Sequence, residues 1–274
     1  MSYDALSDSA LDYLPCRYGT SKLLFRGPRR SLDSPYVAFL GGTETYGKFI
    51  ANPFPTLVEQ HISTTCVNLG CVNAGIDVFA KDMQVAEMAH DAAVTVVQIM
   101  GAHNMSNRFY SVHPRRNDRF VQASGLLQAI YREVDFAEFS FNKHMLGRLL
   151  TLSPERFQSV VDELRAAWVG RMRGLLGGIK GKTVLLWFAG HSPDEEFELD
   201  SQKDPWFVTR EMMDQISDEV TEVVEVVASS SALALGTEGM VFNPLEGHAA
   251  RAMMGPAAHQ EAAIALADSL RQIV

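Results

Sequence analysis

Five apolar runs are spaced along the chain: YVAFL (36–40), TCVNL (65–69), AVTVVQIM (93–100), TVLLWFA (183–189) and EVVEVV (222–227). Most are rich in Val, Ile and Leu without strict alternation, the pattern of parallel strands covered on both faces. Segments with helical spacing lie between them. FPTLVEQHI (54–62) and AKDMQVAEMAHDA (80–92) fill the first two crossovers, REMMDQISDEV (210–220) precedes the fifth strand, and AAHQEAAIALADSLRQIV (257–274) closes the chain. Strand and helix alternating in this way predicts a doubly wound, three-layer α/β/α sandwich within one domain, 1–274. Residues 1–35 show turn formers and little periodicity, so an irregular lead-in is expected.

One crossover is much longer than the others. Between the third and fourth strands, RFVQASGLLQAIYREV (119–134), FNKHMLGRLLTL (141–152) and SPERFQSVVDELRAAWVGRMRGLL (153–176) all have helical spacing. Ser153 and Pro154 form a cap with Pro in the first turn. A helical insertion over about 105–180 is the expectation, returning to the sheet through GGIKGK (177–182). That glycine-rich turn precedes its strand and lacks full phosphate-loop spacing, which excludes a nucleoside-triphosphatase reading.

Composition narrows the class. With 47% hydrophobic and 21% charged residues in 274, the chain can bury a substantial core. Its net charge of −9 argues against nucleic acid or an anionic membrane as main partner. No apolar run reaches the roughly 18–20 residues of a membrane span, and the N-terminus lacks a secretory pattern, so a cytoplasmic location is expected. Cys16, Cys66 and Cys71 form no C-x-x-C pair, which indicates neither a disulfide framework nor a zinc site. No cofactor is implied. The expected partner is a small-molecule or saccharide substrate, and a homo-oligomer is compatible.

Ligands of an open parallel sheet gather outside the carboxyl ends of its strands. That rule selects GGTETYG (41–47), GCVNAGID (70–77), GAHNMSNRFY (101–110), GHSPDEEFELD (190–200) and MMGPAAHQ (253–260). Glycine there permits tight turns and close backbone approach. The run SNRFYSVHPRRNDRF (106–120) adds Arg108, Arg115, Arg116 and Arg119 beside aromatics, a composition suited to phosphate, sulfate or carboxylate groups. His191, Asp194, Glu195 and Glu196 lack a partner histidine at metal-ligand spacing, and read as a solvated loop. His90 reads as a capping residue, and either reaching the site or an orienting role is open to His103.

FLGGTETYG, followed by PFPTLVEQHI and TCVNLG, resembles the opening of the SGNH/GDSL hydrolases. Their first block reads Gly-Gly-Ser-x-Thr-x-Gly or Gly-Asp-Ser-x-x-x-Gly, and Gly41, Gly42, Thr43 and Gly47 match it with Thr43 at the nucleophile position. NLGCVNAG is similar to the second block, with Gly75 or else Asn73 as the oxyanion-hole N–H donor. GAHN is similar to the third block with one extra residue, which gives the oxyanion amide to Asn104 or else Asn107. His259 opens the last helix, where the family places its general base, and His248 of LEGH (245–248) is the weaker alternative. The family's acid would lie three residues earlier, where Pro256 stands, leaving Glu44 or Glu246 as carboxylates of the right type. The resemblance implies strand order 2-1-3-4-5 and hydrolysis or transfer of an ester or acyl group, by family analogy on a saccharide or surface-polymer intermediate. The alternatives are a non-hydrolytic group transferase or binding protein of polysaccharide biosynthesis using the arginines as an anion site, or an inactive scaffold. The threonine methyl restricts χ1 and crowds the approach to an acyl carbon.

Overall fold

A computed structural model describes residues 11–196, 198–199 and 203–273. Seven strands are described: β1 (Tyr36–Leu40), β2 (Thr65–Asn68), β3 (Val94–Gln98), β4 (Tyr110–His113), β5 (Arg116–Ala123), β6 (Lys182–Ala189) and β7 (Glu222–Val227). Five of them form one sheet in the order β2-β1-β3-β6-β7, every pair parallel. Counting only the strands of that sheet, this is the expected order 2-1-3-4-5. The apolar runs predicted β1 and β7 residue for residue.

After β1 come α1 (Thr43–Tyr46) and α2 (Phe54–Ile62), and α3 (Ile76–Ala80) and α4 (Met83–Asp91) lead from β2 to β3. Between β5 and β6 lie α5 (Gly125–Ile130), α6 (Asn142–Leu152) and α7 (Pro154–Leu176). The segment α8 (Arg210–Asp214) precedes β7, and α9 (Ser230–Ala234), α10 (Gly247–Ala250) and α11 (Pro256–Ile273) follow it. The expected start of α7 is present: Ser153 Oγ accepts from the Arg156 N–H at 3.3 Å, and Pro154 occupies the first turn.

The two faces of β1 alternate into two cores, as its pleat requires. Val37 and Phe39 join Phe54 and Val58 of α2 and Ala262, Leu266 and Leu270 of α11. Tyr36, Ala38 and Leu40 face the larger core, built with Met88 of α4 and Phe157, Leu164 and Trp168 of α7. The result is helix, sheet, helix.

The long crossover differs from its sequence pattern at the start. Residues 110–123 form an antiparallel ribbon, β4 paired with β5, where helical spacing was read for 119–134. Tyr110, Val112, Phe120 and Ala123 of the ribbon are buried, so tertiary packing overrides a weak helical pattern. The helix of that stretch shortens to α5. Residues 1–10 of the lead-in and Val274 lie outside the described residues. The remainder of the lead-in folds back on itself through an antiparallel bridge between Cys16 and Phe25. No helix among the described residues is long and apolar enough to cross a membrane.

Candidate active site

The chain leaves β1 for β2 on one side, then crosses to β3 on the other. The connections leaving β1 and β3 therefore run to opposite sides of the sheet, which is where open parallel sheets bind ligands. A cleft of about 940 Å³ opens there. Its lining comes from the turns after β1, β2, β3 and β6, from the ribbon, from the start of α6 and from residues 252–254 ahead of α11.

The turn after β1 is pinned by β3. Gln98 Oε1 accepts from the Gly42 N–H (3.1 Å), the Thr45 N–H (3.2 Å) and the Thr45 hydroxyl (2.6 Å). A side chain at Gly41 would put its Cβ 2.1 Å from Thr45 Oγ1 and 2.6 Å from Gln98 Oε1, so the close approach requires glycine. Thr43 and Glu44 are thereby presented to the cleft. The Thr43 hydroxyl accepts from the Asn73 N–H at 2.9 Å and donates to Asn73 Oδ1 at 3.2 Å. Asn73 sits in the left-handed region (φ 56°) and its amide nitrogen donates to Asp118 Oδ2 of β5 at 3.3 Å.

Asn104 lines the cleft, with its Oδ1 accepting from Asn142 Nδ2 at 3.1 Å. That bond fixes the orientation of the amide and leaves Nδ2 as its donor. Asn142, fully buried at the start of α6, also donates from Nδ2 to the carbonyls of His103 (3.3 Å) and Asn117 (2.5 Å). Asn107 instead shapes the turn into β4: its Oδ1 accepts the N–H groups of Phe109 (2.8 Å) and Tyr110 (3.1 Å). The Gly75 N–H is committed too. It donates to Asn117 Oδ1 of the ribbon at 3.1 Å, and a Cβ on Gly75 would fall 1.6 Å from the Asn104 carbonyl oxygen.

His259 stands behind the cleft wall. It is fully buried, stacked on Phe54 (5.8 Å between centroids) and edge-on to Phe188 (5.3 Å). Its Nδ1 accepts the Phe54 N–H at 3.2 Å, so Nε2 is the proton-bearing nitrogen. Nε2 lies 3.5 Å from Glu44 Oε2 but is not aligned as a hydrogen bond. Glu44 Oε1 accepts the Met254 N–H at 3.1 Å. Of the two carboxylates considered for His259, Glu44 is the one beside it, whereas Glu246 faces Lys48 at 3.4 Å. The chain thus joins Thr43, Glu44, Asn73 and Asn104 at one cleft and packs His259 against Glu44.

The arginines do not join them. Arg108 is bound to Glu163 of α7 through its N–H (2.9 Å), its Nε (2.6 Å) and its guanidinium (2.6 Å). Arg115 and Arg116 stand at the ribbon turn, and neither lines the cleft. Arg119 spends its charge over the Phe141 ring at 4.1 Å. None of the four expected arginines is among the residues that line the cleft. The loop after β6 is likewise tied up, Asp194 by Arg210 (2.8 Å) and Glu195 by Lys203 (3.0 Å). Burial raises the thiols of Cys66 and Cys71, which keeps both protonated and inert.

Two contributors escape sequence reasoning, and the sequence leaves a third, His103, undecided. Asn142 and Asn117 act through partners 25 to 42 positions away, which no local pattern reveals. His103 lies in a selected segment, beside Asn104, where either reaching the site or an orienting role is open to it. It is buried and lines the cleft, and its Nδ1 has no hydrogen-bond partner. Burial pushes its pKa down to about 4; Asp204 opposes the shift and Lys143 adds to it.

Over residues 1–274 the chain matches the family described as Domain of unknown function (DUF6473), and it belongs to that family. Comparison with curated proteins finds no match. Among solved structures it is similar to LAE5, an alpha/beta hydrolase enzyme from the metagenome of Lake Arreo, Spain. The identity is 15% and the TM-score 0.33, with 80% of this chain and 91% of that chain covered.

Proposed function

We propose that the protein is an SGNH-like hydrolase or acyltransferase acting on an ester or acyl group held in the cleft. The observation that carries this reading is the placement of Thr43. Its hydroxyl stands at the β1 turn, on the cleft wall, held by two contacts to Asn73. Acyl transfer needs a positioned hydroxyl, a proton acceptor and donors for the developing oxyanion. Thr43 supplies the hydroxyl. The Glu44–His259 pair supplies the acid–base unit, with the Glu44 carboxylate on the cleft side and the imidazole packed behind it, 3.5 Å away. The Asn104 amide supplies one oxyanion donor.

A threonine in this role is crowded by its methyl group, so serine should serve better. Thr43→Ser is expected to keep or raise the turnover of short p-nitrophenyl esters, and Thr43→Ala to lower it about 100-fold or more. Stopped assays on the purified protein check this. Equal rates for wild type and Thr43→Ala would remove Thr43 as nucleophile.

A second reading, a non-catalytic scaffold of SGNH type, is favoured by one observation. His259 is buried, and its acceptor nitrogen is occupied by the Phe54 N–H instead of facing Thr43. The same assay separates the two, because a scaffold stays inactive as wild type and as Thr43→Ser.

A further inference from the structure

The oxyanion site is one donor short. In the turn after β2, the Gly75 N–H is spent on Asn117, so the Asn104 amide stands without a backbone partner from that block. The residue next to Asn104 fills the gap. The His103 backbone is clamped, its carbonyl accepting from Tyr110 Oη at 2.7 Å and from Asn142 Nδ2 at 3.3 Å. Its ring rests edge-on against Trp206 at 5.3 Å and packs onto Gly101, where a Cβ would come within 2.7 Å of Nδ1. His103 is 4% exposed and lines the cleft. Nδ1 is buried and has no hydrogen-bond partner, which favours the tautomer with the proton on Nε2, the other ring nitrogen of a residue that lines the cleft.

We propose that His103, as a neutral imidazole, donates a hydrogen bond to the oxyanion and is a catalytic residue beside Asn104. This rests on the acyl-transfer reading above. In the step, the Thr43 hydroxyl gives up its bond to Asn73 Oδ1, its oxygen bonds to the acyl carbon and its proton passes to Glu44. The carbonyl π pair moves onto oxygen, which receives hydrogen bonds from His103 Nε2–H and Asn104 Nδ2–H. Collapse re-forms the carbonyl, breaks the bond to the leaving oxygen and returns the proton from Glu44 to that oxygen. His103 holds its own proton throughout.

The surroundings keep the ring in its donating, uncharged form. The charged groups acting on it are Asp204 ahead of Trp206 and Lys143 of α6; burial outweighs Asp204, and Lys143 works in the same direction as burial. The Tyr110 hydroxyl of β4 is held on the His103 carbonyl instead. A neutral imidazole with a lowered pKa is a poor base and a suitable hydrogen-bond donor to a carbonyl oxygen.

Hydrolysis of p-nitrophenyl acetate by wild type, His103→Phe and His103→Gln tests this. Loss of one oxyanion donor lowers kcat about 100- to 1000-fold with little change in KM. His103→Phe should show that loss, and His103→Gln, which keeps an N–H donor, should recover part of it. Wild-type kcat should show no acid limb between pH 5 and 8. A fold-independent readout uses unsubstituted protein: a trifluoromethyl ketone that forms a tetrahedral adduct should move the His103 imidazole N–H resonance downfield. Activity in His103→Phe equal to wild type, or an unmoved resonance once the adduct has formed, overturns the His103 role and leaves acyl transfer standing. Inactivity of wild type on every ester, with no adduct, overturns both.

Discussion

At the scale of single residues, the site depends on groups whose partners lie far along the chain. Thr43 was legible because a strand ending in Gly-Gly must turn at the sheet's carboxyl edge. The commitments of Gly75 and His259 were not legible, since the first depends on Asn117 in the ribbon and the second on the amide of Phe54. His103 leaves a thermodynamic signature that needs no substrate. Its pKa falls from about 6.5 unfolded to about 4 folded, so between those values the unfolded chain binds the extra proton. Stability is complete above pH 6.5 and declines as pH falls towards 4. The loss is on the order of 3 kcal/mol, from about 1.4 kcal/mol per pH unit. Urea midpoints at pH 7 and pH 4.5 should converge more in His103→Gln than in wild type, carboxylates common to both cancelling in the comparison.

At the scale of elements, the sheet was readable and the insertion only in part. Buried parallel strands announce themselves as apolar runs, whereas the ribbon mixes Arg116, Asn117, Asp118 and Arg119 into β5 and hides its strand signal. Its apolar positions, Tyr110 and Val112 in β4, do alternate, and Pro114 and Arg115 lie between the strands. That was the available cue. The start of α7, by contrast, was legible in full, because capping is local chemistry. Replacing Ser153 by Ala removes the acceptor for the Arg156 N–H and should cost about 1 kcal/mol. For a chain of this size that amounts to a fall in Tm of about 2–4 °C, measurable by thermal unfolding. Because α7 packs on α3 and α6, its first turn also steadies the elements that carry Asn142 and the segment after Asn73.

At the scale of the whole molecule, the lead-in turns out to brace the segment next to the cleft. Sequence pattern treated residues 1–35 as irregular, which describes their secondary structure and misses what they hold. Arg26 is buried and its guanidinium donates to four carbonyls at the end of α1 and just after it: Tyr46 (3.2 Å), Gly47 (2.6 Å), Ile50 (2.7 Å) and Ala51 (2.9 Å). Tyr13 lies under the same guanidinium, at 5.2 Å. Loop backbone that turns inward must find partners for its carbonyls, and here one planar fork of donors supplies them. The segment that presents Thr43 and Glu44 is therefore fixed from two sides, by Gln98 within the sheet and by Arg26 from outside it. Arg26→Met preserves much of the side-chain volume and strands those carbonyls. With each orphaned group costing about 1–3 kcal/mol and water reaching some of them, a net loss of about 3 kcal/mol is expected. That corresponds to a fall in Tm of roughly 6–12 °C. If the clamp also sets the Thr43 turn, ester turnover in Arg26→Met should drop at temperatures where the variant is fully folded, with circular dichroism confirming the fold. Unchanged turnover under those conditions would confine Arg26 to stability.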